Sequence, residues 1–276
     1  MSRKESKRVG DPSWQPAPTH PLYLAVATGG AVGYYLDKAS EKIRGRASLT
    51  YFCGRGRAET TRWMLAATNV EFSNVGLTKP EEMDRLKEQN KLPFGQLPIL
   101  EIDQQIITQS SSMVLYLAKR ANLCGTNVIE EVQCSQIAGA VNDWASAPMQ
   151  YAFQRDKEDF RTGHCVSHFK KFGQYLERIL VDNKCGFMVG KSLTYADVLV
   201  AECLTSYEEL IPGIIESSGF KMLGILKTVV CTLPGLKKYL KSSLRHKFPD
   251  DAYVVNVDTV LRRPLKPWLK GEQHKP

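Results

Sequence analysis

The side chains able to do chemistry are few, and their spacing narrows what that chemistry is. Seven cysteines stand at positions 53, 124, 134, 165, 185, 203 and 231. An odd count without a Cys-x-x-Cys pair reads as reduced, cytosolic thiols, not as a disulfide framework. The five histidines form no metal-spaced cluster. His164 and His168, four apart, could share a helix face, but no third ligand accompanies them and no metal is expected. Tyr51 closes a short β-prone run and is followed by the turn Cys53-Gly54-Arg55-Gly56-Arg57. By residue type alone it is either a core side chain or a phenol presented at a strand end. Arg57 opens the next helix, where a cation opposes the helix dipole; it is there for a local role or as a solvated arginine. Gln109 and Ser110 directly precede a helix, whose first amides and dipole favour an anion, a role compatible with N-capping by Ser110. Cys53 is either inert or, near a helix N-terminus, a reactive thiol.

These residues need elements to hold them. Residues 47–52 (ASLTYF) predict a strand, 53–57 a turn, and 58–68 a helix with Trp63, Met64 and Leu65 apolar and Arg62 polar. A second β-prone piece spans 70–75, and a polar helix follows over 79–90. Residues 97–102 and 105–108 read as two strands joined by a turn at Asp103 and Gln104, and 111–120 as a helix. The order is βαβ, a helical link, then ββα, which is the thioredoxin-like layout. From Glu130 to about Leu244 the pattern is wholly helical, and Thr194-Tyr195-Ala196-Asp197 has the form that starts a helix. Strands and then helices in separate blocks imply an α+β chain. It has an N-terminal thioredoxin-like domain over 47–121 and an all-α C-terminal domain over 126–262, joined near residues 122–127.

A chain of 276 residues holds one or two domains at about 150 each, with flanking segments. The formal net charge is +8, and half of it lies in residues 1–46, where eight Lys/Arg face four acidic residues. The body is only mildly basic. With no nucleic-acid motif beside the charge, no nucleic-acid partner is expected; the basicity suits an anionic small substrate. Residues 1–20 read as a disordered basic leader. The uncharged run 21–36 would span roughly 24 Å as a helix, short of the about 30 Å of a bilayer core. It reads as a membrane-associating or organelle-targeting segment, or as a helix packed on the protein's own surface. Residues 263–276 form a tail.

Three stretches together resemble a known family: LTYFCGRGRAETTRW, LPFGQLPILEID followed by QSSSMVLYLA, and GKSLTYAD. In this order they are similar to cytosolic glutathione transferases of the alpha and sigma group, over residues 47–262. The closing LPGLKKYL and KFPDDAYVVNVDTVL look most like the alpha class, whose C-terminal helix covers the hydrophobic substrate site. The resemblance implies a cytoplasmic homodimer that uses glutathione as co-substrate and conjugates it to small hydrophobic electrophiles.

It also implies roles. Tyr51 matches the catalytic tyrosine, whose hydroxyl donates to the glutathione sulfur. A free thiol has a pKa near 8.5, and a hydrogen bond to its charged form favours the thiolate. Arg57 matches the arginine that supports that charge. Gln96, Leu97 and Pro98, the last through a cis bond, match the contacts to the cysteinyl unit. Gln109 and Ser110 match the site of the γ-glutamyl carboxylate, and Lys87 the basic residue at the glycine end. Asp143, or Asn142 in the other register, matches a carboxylate reaching across the dimer. Lys171 stands where the alpha class has an arginine, a departure that keeps charge but loses the planar fork. Phe94 matches the aromatic key of the dimer, the alternative being burial in its own domain. Phe52, Met149, Phe153, Tyr253, Val254 and Val257 would line the electrophile site, residues 254, 257 and 261 being apolar at helical spacing. The expected activity is alkyl or aryl transfer to glutathione, with side peroxidase or isomerase activity. Two alternatives stand beside it: a non-catalytic scaffold or structural protein on the same fold, and a prostaglandin or steroid isomerase.

Overall fold

The computed structural model describes residues 46–270. The basic leader and the apolar run 21–36 lie outside them, and with them the reading of a membrane-associating or targeting segment. Among the described residues no helix is long and apolar enough to cross a membrane.

The first half is a four-stranded sheet of β1 (Arg46–Phe52), β2 (Glu71–Leu77), β3 (Ile99–Ile102) and β4 (Gln105–Thr108), in the order β2-β1-β3-β4. β1 runs parallel to β2 and antiparallel to β3, and β4 returns antiparallel on β3. The β1–β2 crossover is α1 (Glu59–Ala67), entered through a tight turn at Gly56–Ala58. α2 (Pro80–Glu88) leads to β3, and α3 (Ser110–Arg120) follows β4. The expected order of strands and helices is therefore observed. β1 is central and buried along most of its length, whereas β2 at the edge alternates between exposed and half-buried residues.

Some boundaries differ, for physical reasons. β2 runs past Val75 to Leu77 because its ladder follows β1 as far as the Phe52–Leu77 pair. β3 starts at Ile99, not 97, since Pro98 has no N–H to give the ladder. α1 is not amphipathic: Glu59, Thr61 and Arg62 are buried along with Trp63, Met64 and Leu65, because the second half packs over its polar side.

That second half is helical: α4 (Val128–Trp144), α5 (Ser146–Tyr151), α6 (Val166–Asn183), α7 (Tyr195–Leu210), α8 (Lys221–Cys231), α9 (Pro234–Leu240) and α10 (Asp251–Val260). α7 is its buried axis. It begins as expected, with Thr194 N–H and Oγ1 donating to Asp197 Oδ2 at 2.7 and 2.8 Å. Asp197 is fully buried and also accepts from Met188 N at 2.7 Å; burial pushes its carboxyl up to about 6.

The halves meet on buried charge. Glu59 accepts from Arg62 Nη1 at 3.1 Å, Trp63 Nε1 at 3.2 Å and, across the junction, Tyr239 Oη at 2.9 Å. Arg62 Nε donates to Asn74 Oδ1 at 2.9 Å, and Arg55 donates to His246 O at 2.7 Å and pairs with Glu209 of α7. Glu59, Arg62 and Arg55 therefore each have partners, without which their burial would be costly. Glu202 of α7 sits at the same junction, facing Glu59, Arg55 and Glu209, with Ser206 Oγ donating to it at 3.0 Å. Burial, with Glu59 beside it, pushes its carboxyl up to about 7. A carboxyl raised on folding holds its proton more tightly in the native state, so stability falls as pH climbs from the ordinary carboxylate range through about 7. Glu202→Gln is expected to melt a few degrees above the parent at pH 8 and with it at pH 4.5; thermal melts across that range check it.

Candidate active site

β1 delivers Tyr51 to the rim of the sheet and the chain then turns sharply. Side chains at Gly54 and Gly56 would collide with the ring and hydroxyl of Tyr253, and at Gly56 also with the Tyr51 hydroxyl; Gly56 has φ +40°, which favours glycine too. The glycine-rich turn thus makes room for two tyrosines. Tyr51 is buried, but not simply as core. Its hydroxyl accepts Arg57 N–H at 3.2 Å and lies 3.3 Å from the Tyr253 hydroxyl, with either oxygen able to donate.

Around this pair sit the residues expected at the rim. Ser110 opens α3 and donates its hydroxyl to Arg57 O at 2.7 Å, which ties the helix start to the turn. The N-cap position is Gln109, and Ser110 does not cap with its side chain, a correction to the capping role. Gln109 holds φ +66° and donates Nε2–H to Gln96 Oε1 at 3.2 Å. The Leu97–Pro98 bond is cis. Gln96, Leu97, Pro98, Gln109 and Ser110 are therefore neighbours on one edge, next to the Arg57 backbone. The Arg57 side chain is exposed. Lys87 is half-exposed and pairs loosely with Asp84 at 3.5 Å.

α10 closes the other side. Asp250 caps it by accepting Tyr253 N–H at 3.1 Å, and Arg262 beyond its end pairs with Asp84 of α2 at 2.6 Å. Tyr253, Val254 and Val257 are buried, while Phe52 packs edge-on against Tyr51 at 4.9 Å and Phe153 against Tyr253 at 5.9 Å. Met149 is half-buried on α5. Reading Tyr253 as apolar lining was incomplete, since its polar end meets Tyr51. Asn256 is a further residue of this group, which apolar periodicity does not mark. Its Oδ1 accepts Cys53 N–H at 2.9 Å and its Nδ2 donates to Leu77 O at 2.9 Å, bridging the ends of β1 and β2. The available signal was its place three residues after Tyr253, on the face that docks.

Three expected residues stand apart from this group. Asp143 and Lys171 are exposed on α4 and α6, both within electrostatic reach of His168, with the Lys171 ammonium 5.7 Å from the Phe172 ring. Phe94 is 65% exposed, so it is not buried in its own domain. His168 Nδ1 bonds the Tyr207 hydroxyl at 3.1 Å, and among the described residues no group of three or more His, Cys, Asp or Glu is placed to hold a metal. Partial burial and the charge of Glu82 push the Cys53 thiol up, opposite to an activated thiolate.

The models of the glutathione S-transferase N-terminal and C-terminal domains match residues 47–119 and 142–243. The chain belongs to the glutathione S-transferase family. It is 34% identical over 220 residues to glutathione S-transferase A4 of Mus musculus, covering 79% of this chain and 98% of that one. Among solved structures it is similar to the Necator americanus Na-GST-3, described as monomeric, with 30% identity and a TM-score of 0.65 over 74% of this chain and 100% of that one. The Ascaris lumbricoides glutathione S-transferase gives 33% identity and a TM-score of 0.63 over 74% and 99%. Glutathione is the co-substrate of this family.

Proposed function

We propose that this chain transfers glutathione to small hydrophobic electrophiles and that the Tyr51 hydroxyl holds the attacking sulfur as thiolate. The observation that carries this reading is the Tyr51 hydroxyl itself. It is a buried phenol whose oxygen accepts a backbone N–H, and whose own proton, among the described residues, is given to no backbone carbonyl and meets only the Tyr253 oxygen at 3.3 Å, a neighbour that can turn to donate instead. A thiolate placed against that proton is favoured over the thiol, and as the nucleophile it attacks the electrophile's carbon while the leaving group departs with its electron pair. No metal is needed for this chemistry.

The tripeptide would lie along the rim. Its γ-glutamyl carboxylate fits the first amides of α3 at Gln109 and Ser110, which form a helix N-terminus of useful length for an anion. The cysteinyl unit would meet Gln96, Leu97 and Pro98, and the glycine carboxylate Lys87. Arg57 would supply positive charge near the sulfur. Residues 47–121 would thus bind glutathione. Residues 126–262 would bind the electrophile against Phe52, Met149, Phe153 and the α10 residues Tyr253, Val254 and Val257.

The site is completed by a second copy in this reading. Phe94 is a large aromatic side chain left in solvent, which suits a key for a neighbouring helical half. Asp143 and Lys171, both exposed, would reach the partner's glutathione. In sedimentation, the parent is expected to run as a dimer and Phe94→Ser as a monomer; a parent that runs as a monomer overturns the dimer reading. For the chemistry, Tyr51→Phe is expected to lower kcat with a generic aryl halide roughly ten- to hundredfold while still binding glutathione. If neither protein turns over any of several electrophiles although both fold and bind glutathione, the non-catalytic scaffold reading replaces this one.

A further inference from the structure

We infer that Tyr253 is a positioning residue for the transfer reaction: its hydroxyl donates into the oxygen of Tyr51 and so strengthens the donor that holds the sulfur, and Asn256 is the latch that keeps it there. The inference rests on the reading of Tyr51 given above. It follows from counting protons. A phenol has one proton to donate and two lone pairs that accept. One lone pair of Tyr51 takes the Arg57 N–H at 3.2 Å. In the free protein, the 3.3 Å contact with Tyr253 can run in either direction. Once a thiolate accepts the hydrogen bond donated by the Tyr51 hydroxyl, only one direction is left, from the Tyr253 O–H into the second lone pair. The oxygen of Tyr51 then accepts two hydrogen bonds, and such a chain strengthens the hydrogen bond donated onward, here to the sulfur.

Tyr253 is suited to the task. Burial, with Tyr51 beside it, pushes its hydroxyl above the ordinary tyrosine range, so it stays a donor at neutral pH; Arg57 and Arg62, the charged groups that reach it, pull the other way. Its ring fills the space over Gly54 and Gly56, and the Phe153 ring packs on it edge-on. Its backbone N–H is held by Asp250. The position of the hydroxyl along the helix is set three residues on. Asn256 acts toward the sheet as a strand residue would, accepting from Cys53 N and donating to Leu77 O, both at 2.9 Å. These are the neighbouring ends of β1 and β2, beside the turn that follows Tyr51. A shift of α10 breaks both bonds and carries the Tyr253 hydroxyl away from Tyr51.

The test is to titrate the thiol of bound glutathione by its ultraviolet thiolate absorbance, and to measure kcat and KM against pH. The proteins compared are the parent, Tyr51→Phe, Tyr253→Phe and Asn256→Leu, with circular dichroism as a check on folding. Tyr253→Phe is expected to raise the thiol midpoint by about one pH unit. Its kcat would fall about tenfold below that midpoint, and the gap would close at high pH. The KM for glutathione is expected to stay unchanged, because the proposed contacts to the tripeptide do not include Tyr253. Asn256→Leu, which removes no hydroxyl, shifts the midpoint in the same direction by less. If Tyr51→Phe moves the midpoint and Tyr253→Phe does not, Tyr253 is only lining and this inference fails while the reading of Tyr51 stands. If Tyr51→Phe itself leaves the midpoint in place, the reading of Tyr51 fails first.

Discussion

The site is organised around the single proton of the Tyr51 hydroxyl. Left to itself, a buried phenol will donate to whatever acceptor lies nearest, and a proton given to a backbone carbonyl would leave nothing for a substrate. The turn after β1 prevents this. It bends so that the backbone group facing the Tyr51 oxygen is a donor, Arg57 N–H, and not a carbonyl. The same bend presents the Arg57 carbonyl to Ser110, which fixes the start of α3 and with it the rim on which an anion can sit. One local backbone conformation, reached because positions 54 and 56 are glycines, therefore sets both the surroundings of the Tyr51 hydroxyl and the start of α3, the two places to which the proposed function assigns the sulfur and the tripeptide.

The rest of the molecule holds that turn from behind. Arg55 in the turn reaches into the helical half, to the carbonyl of His246 and the carboxylate of Glu209. Glu59 and Arg62 of α1 continue the contact through Tyr239 and Asn74. These charges are costly to bury and are retained in satisfied pairs, so the turn cannot relax without exposing them unpaired. α10 then closes over the turn from the solvent side. The site is accordingly a product of both halves, although its first hydroxyl comes from a strand end.

Much of this was legible in the sequence because it is local. The alternation of strand and helix signals, the Thr194–Asp197 helix start and the place of Gln109 before α3 follow from short-range patterns, and the structure has each of them. Glu59 and Arg62 were not legible in this way. A helix with charged residues reads as amphipathic, and only the tertiary packing of a second half shows that its charges are internal. Tyr253 and Asn256 are the sharper case. Tyr51 and Tyr253 are 202 residues apart, and nothing in the spacing of either says that their hydroxyls meet. The resemblance implies Tyr253 only as lining, beside the apolar spacing of residues 254, 257 and 261; the polar end of an amphipathic side chain is invisible to a pattern of hydrophobicity. Phe94 shows the converse, since its exposure was open until the fold was known.

The most direct test of the central claim is a crystal structure of the protein with glutathione bound. The account predicts the sulfur within hydrogen-bond reach of the Tyr51 hydroxyl, at about 3.3 Å or less, with Arg57 N–H still on the same oxygen and the γ-glutamyl carboxylate on the first amides of α3. A tripeptide bound along that rim with its sulfur turned away from Tyr51, or held by another side chain, would contradict it.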